Sequence, residues 1–261
     1  MRGAASRREG TGRRWRCAAA LAAALLAASL PPAAPATAGE TLTWAQAEMG
    51  YPPYTMPEGW GKPGIYDEML ERIAELTGDR FERIYMPVNR SDTLFAMGRM
   101  DMRVLVNPDW LSPRERDVSV FTEPLFVAEE VLVFPRGRAF PFTGRPGELQ
   151  GKRIATVVGY RYPRFAEEFE RQDSINEVNM LRMVAAGRVD AGIINVVVGR
   201  YLARTEGVQG VEFGPVYMTG PRVIRLHRNR AGALDRLNDA IRRLKHEGTF
   251  DRIIGSYVEQ G

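Results

Sequence analysis

Gly98-Arg99-Met100-Asp101, running into the apolar stretch Met102 to Val106, is echoed later by Gly187-Arg188-Val189-Asp190, running into Ala191-Gly192-Ile193-Ile194. Each follows a short helical pattern, with Leu94, Phe95 and Met97 before the first and Met180, Leu181, Met183 and Val184 before the second. A glycine just past a helix takes the left-handed backbone conformation that other residues resist. The acid then opens a short apolar strand of the kind buried in a parallel sheet. One helix–Gly–Asp–strand unit in each half argues for two similar α/β lobes, and a cleft between facing lobes is where small ligands bind. The same punctuation occurs in βαβ units generally, so by itself the repeat speaks for an α/β fold in two halves and not for an activity.

Residues 1–38 read as an export signal and not as part of the fold. Arg2, Arg7, Arg8, Arg13, Arg14 and Arg16 form a basic n-region, and Ala18 to Leu30 is an apolar run too short to span a bilayer comfortably. Ala36-Thr37-Ala38 then offers an A-x-A cleavage site before Gly39. The expectation is cleavage after Ala38 and a periplasmic location, with general and twin-arginine export both open. Six arginines and one glutamate give this segment +5 against +4 for the whole chain, so the remainder carries about −1. The basic balance therefore belongs to the export signal, which speaks against a nucleic-acid surface. Cys17, the single cysteine, goes with that segment, so no disulfide framework is expected and the core must hold the fold. What remains is long enough for two modest lobes. No later segment has the apolar length of a transmembrane helix.

Along the chain, Leu42 to Ala45 reads as a first strand, followed by a loop rich in Pro, Gly and aromatics from Met49 to Gly64. Asp67 to Thr77 is helical, with Met69, Leu70, Ile73 and Leu76 on one face and Gly78 as the stop. Phe81 to Met86 is a second strand, Glu130 to Phe134 another, and Pro135 to Gly147 a connection. A second α/β set begins at Arg153 to Val158, with helices near Pro163 to Arg171 and Val196 to Thr205. Val223 to Leu226 looks like a returning strand. Two helices close the chain, one with Leu234, Leu237, Ile241 and Leu244 on a face, the other with Phe250, Ile253, Ile254 and Tyr257. The second set stops early, so the economical topology has the chain cross back and finish the first lobe.

Enzyme signatures are absent: no G-x-S-x-G elbow, no H-E-x-x-H and no P-loop. Gly59, Gly61 and Gly64 match G-x-G-x-x-G only in a proline-rich loop, where a flexible turn is the natural reading. Neither His227 nor His246 is placed as a metal ligand, and no cofactor or metal is expected. Three segments are candidates for ligand contact. Tyr51-Pro52-Pro53-Tyr54, with Glu48 before it, is a loop stiffened by proline that holds aromatics ready for stacking, or pads a lobe surface. Ser112-Pro113-Arg114-Glu115-Arg116, close behind Trp110, offers guanidinium groups that grip a carboxylate through paired bonds, or a solvated charge cluster. Gly159-Tyr160-Arg161-Tyr162-Pro163 lies between a strand and an expected helix, whose first amides favour an anion.

In order and spacing these segments resemble the bacterial extracellular solute-binding proteins of family 3, the type II periplasmic binding proteins, over essentially all of residues 40–260. The resemblance is carried by Tyr51 to Tyr54, Gly64 before the Asp67 helix, Gly98 to Asp101, Ser112 to Arg116, Phe121-Thr122-Glu123-Pro124-Leu125, Leu149-Gln150-Gly151-Lys152-Arg153 leading to Gly159, and Gly187 to Asp190. It implies two α/β lobes joined by crossover strands near Glu130–Pro135 and Gly214–Arg225. Lobe I would comprise 39–133 and 216–261, and lobe II 134–215. It further implies a monomer that closes on a small molecule and presents it to the membrane component of an ABC importer.

The family's carboxylate-gripping arginine lies six residues before the phenylalanine matching Phe121. Here that position is Glu115, and a one-residue slip makes Arg116 the first choice and Arg114 the second. The family's ammonium-binding aspartate falls on Asn195. Both departures point away from an ordinary zwitterionic amino acid and toward a carboxylate-bearing or amino-acid-like ligand. The main expectation is a non-catalytic binding protein. Two alternatives stay open: a periplasmic enzyme resembling cyclohexadienyl dehydratases, for which Glu48 is the acid to nominate, and a ligand-sensing accessory protein.

Overall fold

The acids of the two repeated motifs do the same job twice. Asp101 Oδ2 accepts hydrogen bonds from the backbone N–H and the hydroxyl of Thr43, both at 2.8 Å. Asp190 Oδ2 accepts from the backbone N–H of Arg153 at 2.8 Å. Each acid stands just before an apolar strand, β3 (Met102–Val106) or β8 (Ala191–Asn195), and pins it to a parallel neighbour, β1 (Thr41–Gln46) or β6 (Arg153–Val157). The glycines that precede them, Gly98 and Gly187, have φ of 70° and 63°, the left-handed value the motif requires.

The computed structural model describes residues 39–160, 162 and 164–259; the expected export signal and Arg161 lie outside the described residues. Among the described residues nine strands form one sheet: eight follow the path β2-β1-β3-β9-β5-β8-β6-β7, and β4 pairs with β9 off that path. Here β2 is Arg80–Tyr85, β4 Ser119–Phe121, β5 Phe126–Pro135, β7 Glu170–Ser174 and β9 Val211–His227. β1 is parallel to β2 and β3, and β6 is parallel to β7 and β8, giving two parallel trios. Between them run β5 and β9, antiparallel to each other. β9 serves both sides: Val211–Arg222 pairs with β5, and Val223–His227 with β3 and β4.

Helices cover these trios because their sequences carry one apolar stripe each. α1 (Ile65–Thr77) buries Ile65, Tyr66, Met69, Leu70 and Ile73, and each such large side chain contributes roughly 1.5–3 kcal/mol by leaving water. α2 (Val88–Ala96) and α4 (Glu177–Ala185) precede the two motifs, and α3 (Pro113–Asp117) is a short capped turn. α5 is Val196–Thr205. The closing pair is α6 (Leu234–His246), burying Leu237, Ala240, Ile241 and Leu244, and α7 (Thr249–Glu259). Both return to the first trio. Arg236 of α6 donates to Asp79 and Glu40, and the Tyr257 hydroxyl of α7 donates to Glu68 at 2.6 Å, with the carbonyl oxygen of Pro63 2.8 Å from the same hydroxyl.

Two elements differ from the sequence reading. The helix expected near Pro163 to Arg171 does not form. Residues 164–169 are bends and turns, and Glu170–Ser174 is the edge strand β7. Phe165 has φ of 58°, outside the helical region, and it packs edge-on to Phe142 and Tyr217 while Phe169 is buried in the same cluster. The strand expected only at Val223–Leu226 is the far end of the 17-residue β9. Gly214, Pro215, Gly220 and Pro221 hide that length in the sequence. The ladder shifts register between Val131 and Val133, opposite Gly214–Pro215, so the proline that has no N–H sits where pairing is interrupted.

Candidate ligand-binding site

The carboxyl ends of β1, β3, β6 and β8 converge on one cavity of about 350 Å³. This is the expected place in an open α/β sheet, because the loops leaving those strand ends are free to shape a pocket. From the first trio come Tyr51 and Tyr54 in the loop after β1, Leu105 on β3, Trp110 in the 3-10 turn Pro108–Trp110, and Glu115 on α3. From the second come Val157, Gly159, Tyr160 and Tyr162 after β6, Glu177 at the start of α4, and Ile193, Ile194 and Asn195 at the end of β8. The floor is Glu130 of β5 with Met218 and Arg222 of β9. Leu105 is one of two non-glycine residues with positive φ among the described residues, at 62°, a strained conformation of the kind that concentrates at binding sites.

The aromatic loop is built to hold its rings still. Tyr51 and Thr55 exchange backbone hydrogen bonds of 2.8 and 3.1 Å across the two prolines. Gly64, the residue before α1, runs so close that a Cβ there would stand 2.6 Å from the carbonyl oxygen of Tyr54. Tyr54 is sandwiched between Tyr51, at 6.0 Å, and Phe126, at 5.6 Å, with near-parallel planes. Tyr160 meets Tyr51 edge-on at 6.4 Å from the opposite trio. Burial pushes the hydroxyls of Tyr51, Tyr54 and Tyr160 well up, and that of Tyr162 up to about 12. All four are therefore neutral donors at physiological pH.

The charged groups on the floor are tied to one another. Arg222 Nη2 donates to Glu130 Oε1 at 2.8 Å, with both side chains largely out of solvent. Arg222 Nη1 donates to the carbonyl of Gly220 at 3.2 Å, and the guanidinium carbon lies 4.6 Å from the centre of the Trp110 ring. Burial raises the pKa of Glu130, and the Arg222 charge and the Asn195 amide oppose that rise. Asn195 spends its oxygen on the N–H groups of Val197 and Val198, capping α5, and accepts from the Tyr54 hydroxyl at 3.2 Å. Its amide nitrogen donates to Glu130 at 3.4 Å. Glu177 lies close enough to Tyr160 for its charge to add to burial in raising the phenol's pKa, while its Oε1 is buried with no hydrogen-bond partner.

Of the sequence candidates, Tyr51, Tyr54, Trp110, Gly159, Tyr160 and Asn195 line this cavity. Three do not. Glu48 is exposed on the loop after β1. Arg114 and Arg116 are exposed too, and Arg116 Nε donates to the carbonyl of Leu111. The reason is the capping box of α3: Glu115 reaches back to the N–H and hydroxyl of Ser112, which turns Glu115 toward the cavity and its two neighbours toward solvent. Among the described residues the guanidinium that lines the cavity is that of Arg222. The acids that line it besides Glu115 are Glu130 and Glu177, all missed as site residues from the sequence. A signal was present, since an arginine placed just before the run Val223 to Leu226 and a glutamate opening the apolar run Val131 to Phe134 need partners if those strands are buried. Without a helix after Tyr162, the expected anion site at a helix N-terminus is not built there, and Arg161 lies outside the described residues.

No protein-family model matches the chain. Membrane-bound lytic murein transglycosylase F of Pseudomonas fluorescens is 26% identical over 147 residues, covering 52% of this chain and 29% of that protein. The chain thus spans less than a third of the length of the curated relatives it matches. The GluR0 ligand-binding core in complex with L-glutamate superposes with a TM-score of 0.67 at 18% identity, covering 86% of this chain and 100% of that one. The fold is that of the two-lobed type II periplasmic binding proteins. A histidine kinase sensor domain with similarity to periplasmic binding proteins has it too, with a TM-score of 0.65 at 19% identity over 85% of this chain and 97% of that one. So has the substrate-binding protein of an amino acid ABC transporter, with a TM-score of 0.62 at 17% identity over 84% and 100%. The cavity of this binding-protein fold lies between its two α/β halves, and no helix among the described residues is long and apolar enough to cross a membrane.

Proposed function

We propose that this chain is a non-catalytic solute-binding protein that captures a small, amino-acid-like molecule between its two halves and presents it to the membrane component of an ABC importer. The observation that carries this reading is the cavity itself. It is of ligand size, it is lined from both halves by tyrosines held by proline, stacking and hydrogen bonds, and its polar groups converge on one floor. The importer role is supported by the likeness to the substrate-binding protein of an amino acid ABC transporter, and a periplasmic location by the export signal read from residues 1–38. The halves would be 39–133 with 216–261, and 134–215, closing on the ligand by a hinge at the crossover strands. A carboxylate grip by Arg114 or Arg116 is not part of the reading, since both side chains are exposed.

The likeness to a histidine kinase sensor domain favours a second reading, in which the same capture serves signalling. Isothermal titration with a panel of amino acids, amines and organic acids, followed by small-angle scattering with the best binder, tests the capture step common to both. Saturable binding with a smaller radius of gyration is the expected result. A folded protein that binds nothing in the panel and releases no small molecule on denaturation after native purification would sink the proposal.

A further inference from the structure

The charge on the cavity wall points to a ligand chemistry. Arg222, the guanidinium on the floor, is committed to Glu130 at 2.8 Å, to the carbonyl of Gly220 and to the face of Trp110. An incoming carboxylate would have to compete with Glu130 for it. On the facing wall, Glu177 presents a buried oxygen that no group hydrogen-bonds. A buried carboxylate oxygen left without a donor is costly, and a ligand that supplies an N–H recovers that cost. Around it stand the rings of Tyr51 and Tyr160, meeting edge-on at 6.4 Å. Both stay neutral, and their π faces attract a cation and not an anion. Glu130 adds a second carboxylate close enough to act on Tyr51 and Tyr160 alike.

We propose that the site recognises a positively charged nitrogen, an amine or guanidinium, held in the cavity beside the Tyr51–Tyr160 ring pair with Glu177 as its counter-charge. This rests on the solute-capture reading above and names the group that the capture depends on. Glu177 has a local role as well, as an acid in the first turn of α4, where it complements the helix dipole. That role needs only the charge near the helix start. It leaves the hydrogen-bonding capacity of Oε1 unused.

The test is calorimetric titration of the full chain with matched trios: tyrosine, tyramine and 3-(4-hydroxyphenyl)propionate, and lysine, cadaverine and hexanoate. Members that keep a cationic nitrogen should bind at least about tenfold more tightly than the acid that lacks one. Glu177→Gln, with an unchanged circular dichroism spectrum and a cooperative melt, should weaken the amine by about ten- to a hundredfold, the loss of one charge-assisted bond. The deaminated acids should be unaffected. An acid binding as tightly as its amine, or a purely anionic molecule released from natively purified protein, overturns the inference and leaves solute capture standing. A protein that binds no panel member and releases no small molecule overturns both. The wild-type panel decides the matter even where Glu177→Gln fails to fold.

Discussion

Arg222 and Glu130 form a 2.8 Å ion pair along the seam between β5 and β9. The partner of Arg222 across the ladder is Phe126, and Glu130 lies four residues further along the same strand. Residues two and four apart share a face of a strand, so the guanidinium lies along the sheet and reaches its carboxylate from the side. A pair this buried stabilises little relative to apolar residues of similar size, but losing one member strands the other.

Arg222→Met should therefore cost about 3–5 kcal/mol of unfolding free energy, while the double variant Arg222→Met with Glu130→Leu should recover most of that loss. Urea denaturation of the four members of the cycle measures it. Additive losses in the double variant would mean the two side chains are not energetically coupled.

The same pair predicts a pH dependence of definite sign. Burial raises the pKa of Glu130 above 4.5 in the folded protein, and Arg222 holds the rise in check. A raised acid binds its proton more tightly folded than unfolded. Its contribution to stability is then full below the unfolded value and is lost as pH climbs through the folded one. In Arg222→Met the check is gone, so stability should fall more steeply than in the wild type between about pH 5 and about pH 8. Melting temperatures across that window decide it, and parallel curves for the two proteins would contradict the assignment.

Asp101 and Asp190 were legible in the sequence as a repeat, and their tethering of parallel strands explains why the repeat exists. Asp101 is the more deeply engaged. Burial acts to raise its pKa, but the Thr43 N–H, Arg230 and the Thr43 hydroxyl together bring it below 3.8. A lowered acid stabilises above its unfolded value and loses that contribution as pH falls through the folded one. Asp101→Asn should cost about 1–3 kcal/mol at neutral pH and flatten the acid limb of the stability curve. Asp190→Asn, at a more exposed site, should cost less. Chemical denaturation at neutral and acid pH compares them, and a larger loss from Asp190→Asn would invert this ranking.

Helices with one apolar stripe and strands with apolar runs were readable because their patterns report burial directly, as in α1, α6 and β8. The site was readable only where a local pattern fixed it. Tyr51 and Tyr54 are held by prolines and Gly159 by a strand end, so short-range sequence placed them in loops beside the cleft. Arg222, Glu130 and Glu177 come from β9, β5 and α4, and only the tertiary path joins them. Arg114 and Arg116 misled because charge and spacing do not reveal a rotation. The capping box of Ser112 with Glu115 sets which side of α3 faces the cavity, and it brings the acid in and leaves the arginines out. β7 was missed because Glu170-Arg171-Gln172-Asp173-Ser174 has no apolar alternation, as an edge strand does not require one.

Asn195 offers the sharpest substitution. Its oxygen caps α5 through Val197 and Val198 and takes the Tyr54 hydroxyl, and its nitrogen donates to Glu130 at 3.4 Å. An aspartate keeps the first two functions and reverses the third, setting a second carboxylate against the first. Asn195→Ala loses the cap, which should cost about 1 kcal/mol, and loses the donor to Glu130 without adding a second carboxylate, so its further loss with rising pH should be smaller than that of Asn195→Asp. Asn195→Asp keeps the cap, so near the ordinary carboxylate range, where one of the two acids is protonated, it should be close to the wild type. Two neighbouring carboxylates cannot both ionise freely, which raises the pKa of one of them. Its deficit should then grow with rising pH, by about 1.4 kcal/mol for each pKa unit by which the shared proton is held. Thermal unfolding of both variants from about pH 4.5 to about pH 8 separates the two patterns. An Asn195→Asp protein as stable as the wild type at neutral pH would show that the donor to Glu130 is dispensable, and with it the reason for an asparagine at this position.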